Sequence, residues 1–192
     1  MKADVADSGL LSRHRSVLVV IDAQTRLAPA IDGSAAALAR IGLLLKAAGR
    51  LGVPVIVTEQ YPAGLGRTVA SLQTVLDDLP APASVLTKTH FSAWAEPTFR
   101  AAIAGTGRRQ LVFTGFEAHV CVLQTAFAAH AAGFPSFLVA DAIGSRDPRS
   151  LAMTLERARI RGLAPIVAEM AVFEWLGQAA TPEFRDLLGA LK

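Results

Sequence analysis

A chain of 192 residues, 52% hydrophobic and 18% charged, is long enough to bury one sizeable core and too apolar to be a disordered or acid-solvated polypeptide. Its net charge of +3 comes from scattered basic residues with no interleaved aromatics, which excludes a dedicated nucleic-acid surface. A mean hydropathy of +0.41 is high for a lone small globule and points to apolar surface covered by further copies of the chain.

The segment from Met1 to Arg15 contains Asp4 and Asp7 and no long apolar stretch, so residues 1–15 read as an N-terminal tail and not as a secretory signal. No apolar run approaches the roughly 20 residues that a membrane span requires. The single cysteine permits no intrachain disulfide and no cysteine metal cluster. These features predict a protein of a reducing, cytoplasmic compartment with no membrane partner.

From Ser16 onward, strand, turn and helix signals alternate. Ser16 to Ile21 is a continuous β-branched run ending at Asp22, the pattern of a strand buried on both faces of a parallel sheet. Ser34 to Leu51 is an alanine- and leucine-rich helix closed by Gly52. Pro54 to Thr58 is the second strand, Thr68 to Leu79 a helix, and Ser84 to Thr87 a short strand leading into Lys88. Pro97 to Ala104 is a helix opened by its proline. Gln110 to Thr114 is the fourth strand, followed by a helix from His119 to Ala132 with Gly133 at its end. Pro135 to Ala140 is a fifth strand ending at Asp141. Asp147-Pro148 opens the next helix, whose end carries Arg157, Arg159 and Arg161 on a solvated face. Pro165 to Ala168 is a short sixth strand, and Thr181-Pro182 opens the last helix. The expected fold is one doubly wound, Rossmann-like α/β domain over residues 16–192, a three-layer α/β/α arrangement with a central, mostly parallel six-stranded sheet.

Ligands of such sheets bind beyond the carboxyl ends of the strands, so the residues just after each strand carry the functional information. They are Asp22, Glu59, Lys88, the stretch Gly115 to Cys121, and Asp141. Cys121 falls in the first turn of a helix, where the positive helix end lowers a thiol pKa and free amides can stabilise an oxyanion. Asp22 on a neighbouring strand end is placed to take the thiol proton, and Lys88 to keep that carboxylate ionised. Each residue taken alone also has a plain structural reading: a core thiol, a turn cap and a solvated lysine.

The stretches VVIDAQTRL, TKTHFSAW and TGFEAHVCVLQTAFAAHAAGF resemble the three signature regions of the isochorismatase-like hydrolase superfamily. VTEQYPAGLGRTV and GFEAHVCV resemble the branch of isochorismatase domain-containing proteins. The resemblance implies that Asp22 is the base, Cys121 the nucleophile and Lys88 the residue that orients both. It implies a cis peptide between Phe116 and Glu117, with the amides of Glu117 and Cys121 turned toward an oxyanion. The reaction it implies is attack on an amide carbonyl, loss of ammonia or an amine, and hydrolysis of a thioester. It also implies self-association; the expected contact segments are Tyr61 to Arg67 and the region around Phe173 to Trp175, each of which combines aromatic or apolar residues with turn residues.

The departures from the family are informative. The metal cluster of related nicotinamidases has no counterpart in TEQYPAGLG, and His14, His90, His119 and His130 show no ligand spacing. The expectation is an enzyme without metal or other cofactor, acting on a small-molecule amide or related C–N bond. The alternatives are vinyl-ether hydrolysis of the isochorismatase type and a catalytically silent binding or scaffold protein. A dinucleotide-binding reading fails because VVIDAQ lacks the glycines of a pyrophosphate loop. Around the three central residues, Gln24 either lines the pocket or bonds the helix entry. Glu59, Gln60 and Tyr61 form a pocket wall or a subunit contact, His119 points into the site or away from it, and Phe91 and Trp94 form an apolar substrate wall or pack.

Overall fold

The computed structural model describes residues 9–191. Asp4 and Asp7 of the expected tail lie outside them. The described remainder of that tail is docked: Leu11 is buried in the core, and its amide donates to Glu174 Oε2 at 2.7 Å.

Six parallel strands form one sheet in the order β3-β2-β1-β4-β5-β6. They are β1 (Ser16–Ile21), β2 (Val55–Gln60), β3 (Ser84–Lys88), β4 (Gln110–Phe116), β5 (Ser136–Gly144) and β6 (Ala164–Ile166). Every residue of β1 is buried because helices cover both faces. Alternation along β1 separates the two layers. Leu18 and Val20 point into one apolar cluster, while Val17, Val19 and Ile21 point into the other.

The first cluster is covered by α1 (Ser34–Leu51), α3 (Ala70–Asp77), α7 (Ala168–Leu176) and α8 (Pro182–Leu191). Helix α1 presents Ala37, Ile41, Leu44, Leu45, Ala48 and Leu51 inward at helical spacing, and Gly52 ends it with φ 67°. The second cluster is covered by α4 (Pro97–Gly105), α5 (Leu123–Ala131) and α6 (Pro148–Ile160). Asp147 caps α6 by accepting from Arg149 N at 2.8 Å.

The structure corrects several boundaries. A short helix, α2 (Pro62–Leu65), fills the loop after β2, and α7 follows β6 where no helix is expected. Thr68 does not begin α3, because it pairs with Gln24 and bonds Glu59. Strand β5 runs past Asp141 to Gly144 through an irregularity in its pairing with β4. Asp141 is therefore inside the strand, where it accepts from Ala168 N at 2.8 Å at the start of α7 and lies 3.5 Å from Arg40. Arg157, Arg159 and Arg161 are exposed at the end of α6.

Candidate active site

The strand order puts the ends of β1 and β4 side by side, at the point where successive connections turn to opposite sides of the sheet. Gly115 makes this approach possible. It has φ 103°, and a Cβ there would stand 1.9 Å from the Ile21 carbonyl oxygen, just before Asp22. The peptide between Phe116 and Glu117 is cis. A π-helical turn, Ala118–Val122, then carries Cys121 into α5. This turn replaces the regular first helical turn expected at His119, and such turns recur at functional sites.

Asp22 is fully buried. Its Oδ1 accepts from Thr58 Oγ1 at 2.7 Å, and its Oδ2 lies 2.7 Å from Lys88 Nζ. Lys88 starts two strands away, on β3, and reaches across the end of β2. Its Nζ also donates to Gln60 Oε1 at 2.6 Å and to the carbonyls of Phe91 and His90 at 3.2 and 3.3 Å. The Cys121 thiol meets both charged groups. Burial, reinforced by the negative charge of Asp22 and only partly opposed by Lys88, pushes the thiol up to about 12. The shift runs opposite to the lowering expected of a helix end, because desolvation of a thiolate outweighs the opposing charge of the lysine. Burial and Asp22 thus favour the protonated thiol.

A family model described as the isochorismatase domain matches residues 16–170. The chain belongs to the isochorismatase family. It is 35% identical to isochorismatase domain-containing protein 1 of Danio rerio across all of this chain, and spans 66% of that relative's length. Among solved structures it resembles the MAR1 ribonuclease of Caenorhabditis elegans, with a TM-score of 0.88 and 28% identity over 95% of this chain and 92% of that one. It shares its fold with the octameric hydrolase YcaC of Escherichia coli, with a TM-score of 0.84 and 22% identity over 96% of this chain and 88% of that one.

Within this isochorismatase fold, the other residues singled out from the sequence divide into clamps and walls. Gln24 is a clamp. Its Nε2 donates to Gly66 O at 2.6 Å and Gln60 O at 3.0 Å, and its Oε1 accepts from Gln60 N at 2.8 Å. Both protons of its amide are spent on backbone carbonyls. Glu59 is likewise committed, because a buried carboxylate needs partners. It accepts from Thr68 N at 2.8 Å and Thr68 Oγ1 at 3.0 Å, and pairs with Arg67 at 2.8 Å. His119 is held by Ser145 Oγ at 2.9 Å and lies 3.6 Å from Glu117 Oε2. Trp94 packs edge-on against Phe134 and Phe99, with ring centroids 5.1 and 6.2 Å away. Tyr61 and Phe91 are exposed, by 59% and 57%, and both sit on backbone that holds Lys88. Tyr61 borders a cavity of about 380 Å³ shared with Pro62, Lys88, Thr89 and Glu96. Glu96 accepts from the amides of Thr89 and His90, and the His90 side chain with those amides draws its carboxyl down to about 2.

Thr58, Thr125 and Arg146 belong to the site without having been singled out. Thr125 Oγ1 donates to Cys121 O at 2.6 Å and accepts from Ala93 N at 2.9 Å, joining the turn that carries Cys121 to the loop that holds Lys88. Arg146 pairs with Glu117, through Nε to Oε1 and through Nη2 to Oε2 at 3.5 Å. Spacing offers no signal for such partners. Thr58, which follows the aliphatic run Val55 to Val57 within β2, is the one position where composition hints at a polar duty. Among the described residues, no three His, Cys, Asp or Glu side chains converge, and no helix is long and apolar enough to cross a membrane.

Proposed function

We propose that this chain is a cysteine hydrolase of a small-molecule amide or related C–N bond, with Cys121 as nucleophile, Asp22 as general base and Lys88 as the residue that holds both in place. The observation that carries the reading is Asp22, a fully buried carboxylate whose Oδ2 lies 2.7 Å from the buried Lys88 Nζ and beside a buried thiol. A thiol that stays protonated at neutral pH needs a base at the moment of attack, and this oxygen is the group in reach.

The steps follow from that geometry. Asp22 Oδ2 takes the thiol proton while the sulfur bonds to the carbonyl carbon, and the C=O pair moves onto oxygen. The amides of Glu117 and Cys121 receive that oxyanion. Val120 and Val122 are spent otherwise, since their N–H groups donate to Glu117 O. When the intermediate collapses, the C–N bond breaks and the leaving nitrogen takes the proton from Asp22. Water, deprotonated by Asp22, then attacks the thioester carbon. The C–S bond breaks, the acid departs and the sulfur recovers its proton. No cofactor enters these steps. The test is ammonia release from a panel of primary amides, ureides and carbamoyl compounds, with Cys121→Ala as control. Equal release by both proteins would sink the reading.

Self-association is part of the same proposal. Tyr61, Phe91 and Phe173 are exposed aromatic residues, and the YcaC relative is an octamer. Trp175 drops out of the expected contact segment, because it is buried within the chain and donates to Ser16 Oγ at 2.9 Å. Light scattering should give a multiple of the 20.2 kDa chain mass. A single-chain mass that stays constant on concentrating would refute assembly. A nucleophile that must remain a thiol fits a cytoplasmic setting.

A further inference from the structure

The ion pair between Lys88 and Asp22 has a proton count that limits what each atom can do. An ammonium group has three protons and accepts none. Lys88 Nζ donates to Gln60 Oε1 at 2.6 Å, to Phe91 O at 3.2 Å and to His90 O at 3.3 Å. With Asp22 Oδ2 2.7 Å from the same nitrogen, at least four oxygens compete for those three protons. The other oxygen of Asp22 is occupied by Thr58. Asp22 faces Lys88 from β3 and Cys121 from the π-helical turn. The more of its protons the lysine gives to other acceptors, the more lone-pair capacity Oδ2 keeps for the thiol proton.

Gln60 holds the shortest of the three lysine bonds, and its amide has one workable orientation. Its Nε2 donates to Thr89 O at 2.8 Å. Reversing the amide would set NH₂ against the ammonium and oxygen against a carbonyl oxygen. Its backbone is pinned on both sides by Gln24, with Gln24 Oε1 accepting from Gln60 N at 2.8 Å and Gln24 Nε2 donating to Gln60 O at 3.0 Å. The Gln24 clamp thus fixes where Gln60 presents its oxygen, and so fixes which way a lysine proton points.

We propose that Gln60 is a positioning residue that draws a Lys88 proton away from Asp22, so that Asp22 Oδ2 remains the acceptor for the Cys121 thiol proton. The inference rests on the reading of Cys121 as nucleophile and Asp22 as base. Without the Gln60 acceptor, the lysine gives its protons more fully to Oδ2 and makes the carboxylate a weaker base.

The chain has one cysteine, so alkylation by iodoacetamide, read by mass spectrometry, reports on Cys121 without any substrate. Gln60→Met keeps the side-chain length and removes the acceptor. Its alkylation plateau should fall about tenfold and the acid limb of its rate–pH profile should move to lower pH. Gln60→Glu keeps an acceptor and adds a negative charge. Its plateau should stay within about threefold of wild type, and its acid limb should move to higher pH. Loss of packing alone would not move the limb in opposite directions. A wild-type rate and limb in folded Gln60→Met or Gln60→Glu overturns the proposal. If Gln60→Met does not fold, the upward limb shift of Gln60→Glu decides it. Asp22→Asn separates the two ways of failing. If it alkylates with the wild-type profile, the reading of Asp22 as base fails. If it is slow while the Gln60 variants match wild type, the positioning role alone fails.

Discussion

Each end of the sheet buries a polar network, and the two networks differ in one respect. At the amino end, Gln110 Oε1 accepts from Ser12 N at 2.9 Å and from Ser16 Oγ at 3.2 Å, and Gln110 Nε2 donates to Leu10 O at 2.9 Å. Trp175 Nε1 completes the set by donating to Ser16 Oγ at 2.9 Å. The side chains of that set, Gln110, Ser16 and Trp175, are neutral and bonded to one another or to backbone. At the carboxyl end the buried groups are Asp22, Lys88 and Cys121, with Asp22 Oδ2 2.7 Å from Lys88 Nζ and beside the thiol. The neutral set ties the docked N-terminal segment, β1, β4 and α7 together. The other set, an ion pair beside a thiol, is the one the proposed chemistry uses.

The largest test of that contrast is Cys121→Ala. Turnover of any substrate found should fall by roughly 10⁴-fold or more, with a stability change within about 1 kcal/mol by denaturant melts. A large loss of stability with turnover retained would reverse the roles assigned to the two ends. Trp175→Ala probes the other end. Removing this buried ring should cost about 3–5 kcal/mol and leave the rate per folded molecule unchanged. A specific loss of turnover there would show that the networks are not separable.

The alkaline response of stability is smaller and has a definite sign. The Cys121 thiol titrates near 12 in the folded chain against an ordinary 9.0, so its protonated form is favoured by folding. That contribution is complete below about 9 and is lost as pH rises toward about 12, at most on the order of a few kcal/mol. The wild type should therefore lose stability relative to Cys121→Ala across this window. Parallel curves for the two proteins would mean that the thiol is not held in a desolvated site. The smallest effect is expected on α6, where Arg157→Ser, Arg159→Ser or Arg161→Ser should shift stability by no more than about 0.5 kcal/mol. A larger change would give this exposed basic face a role in neither network.

How far the sequence could be read depended on how local the cause was. Ser16–Ile21 and Ser34–Leu51 were legible to the residue because a doubly buried strand and a glycine-capped amphipathic helix are written in consecutive side chains. Helix α7 was not legible. The apolar run of Ala168–Leu176 has no N-cap side-chain bond, and the carboxylate that accepts its first amide is Asp141, 27 positions away. Asp22, Lys88 and Cys121 could be nominated because strand ends in a parallel sheet share one edge. The commitment of Gln24 and Glu59 to loop clamps could not, since each satisfies backbone groups that come near only after β2 and its loop have folded.

By itself the sequence determined the alternation of strands and helices, the edge on which the reactive side chains gather, and the chemical identity of those side chains. The tertiary structure decided the burial that raises the Cys121 thiol, the set of acceptors that compete for the protons of Lys88, and the pairing of Asp22 with Lys88 and Thr58. The physical reason is that these properties depend on burial and on distances of a few ångströms between groups from different strands. Neither desolvation nor hydrogen-bond direction is encoded in the spacing of residues along a chain.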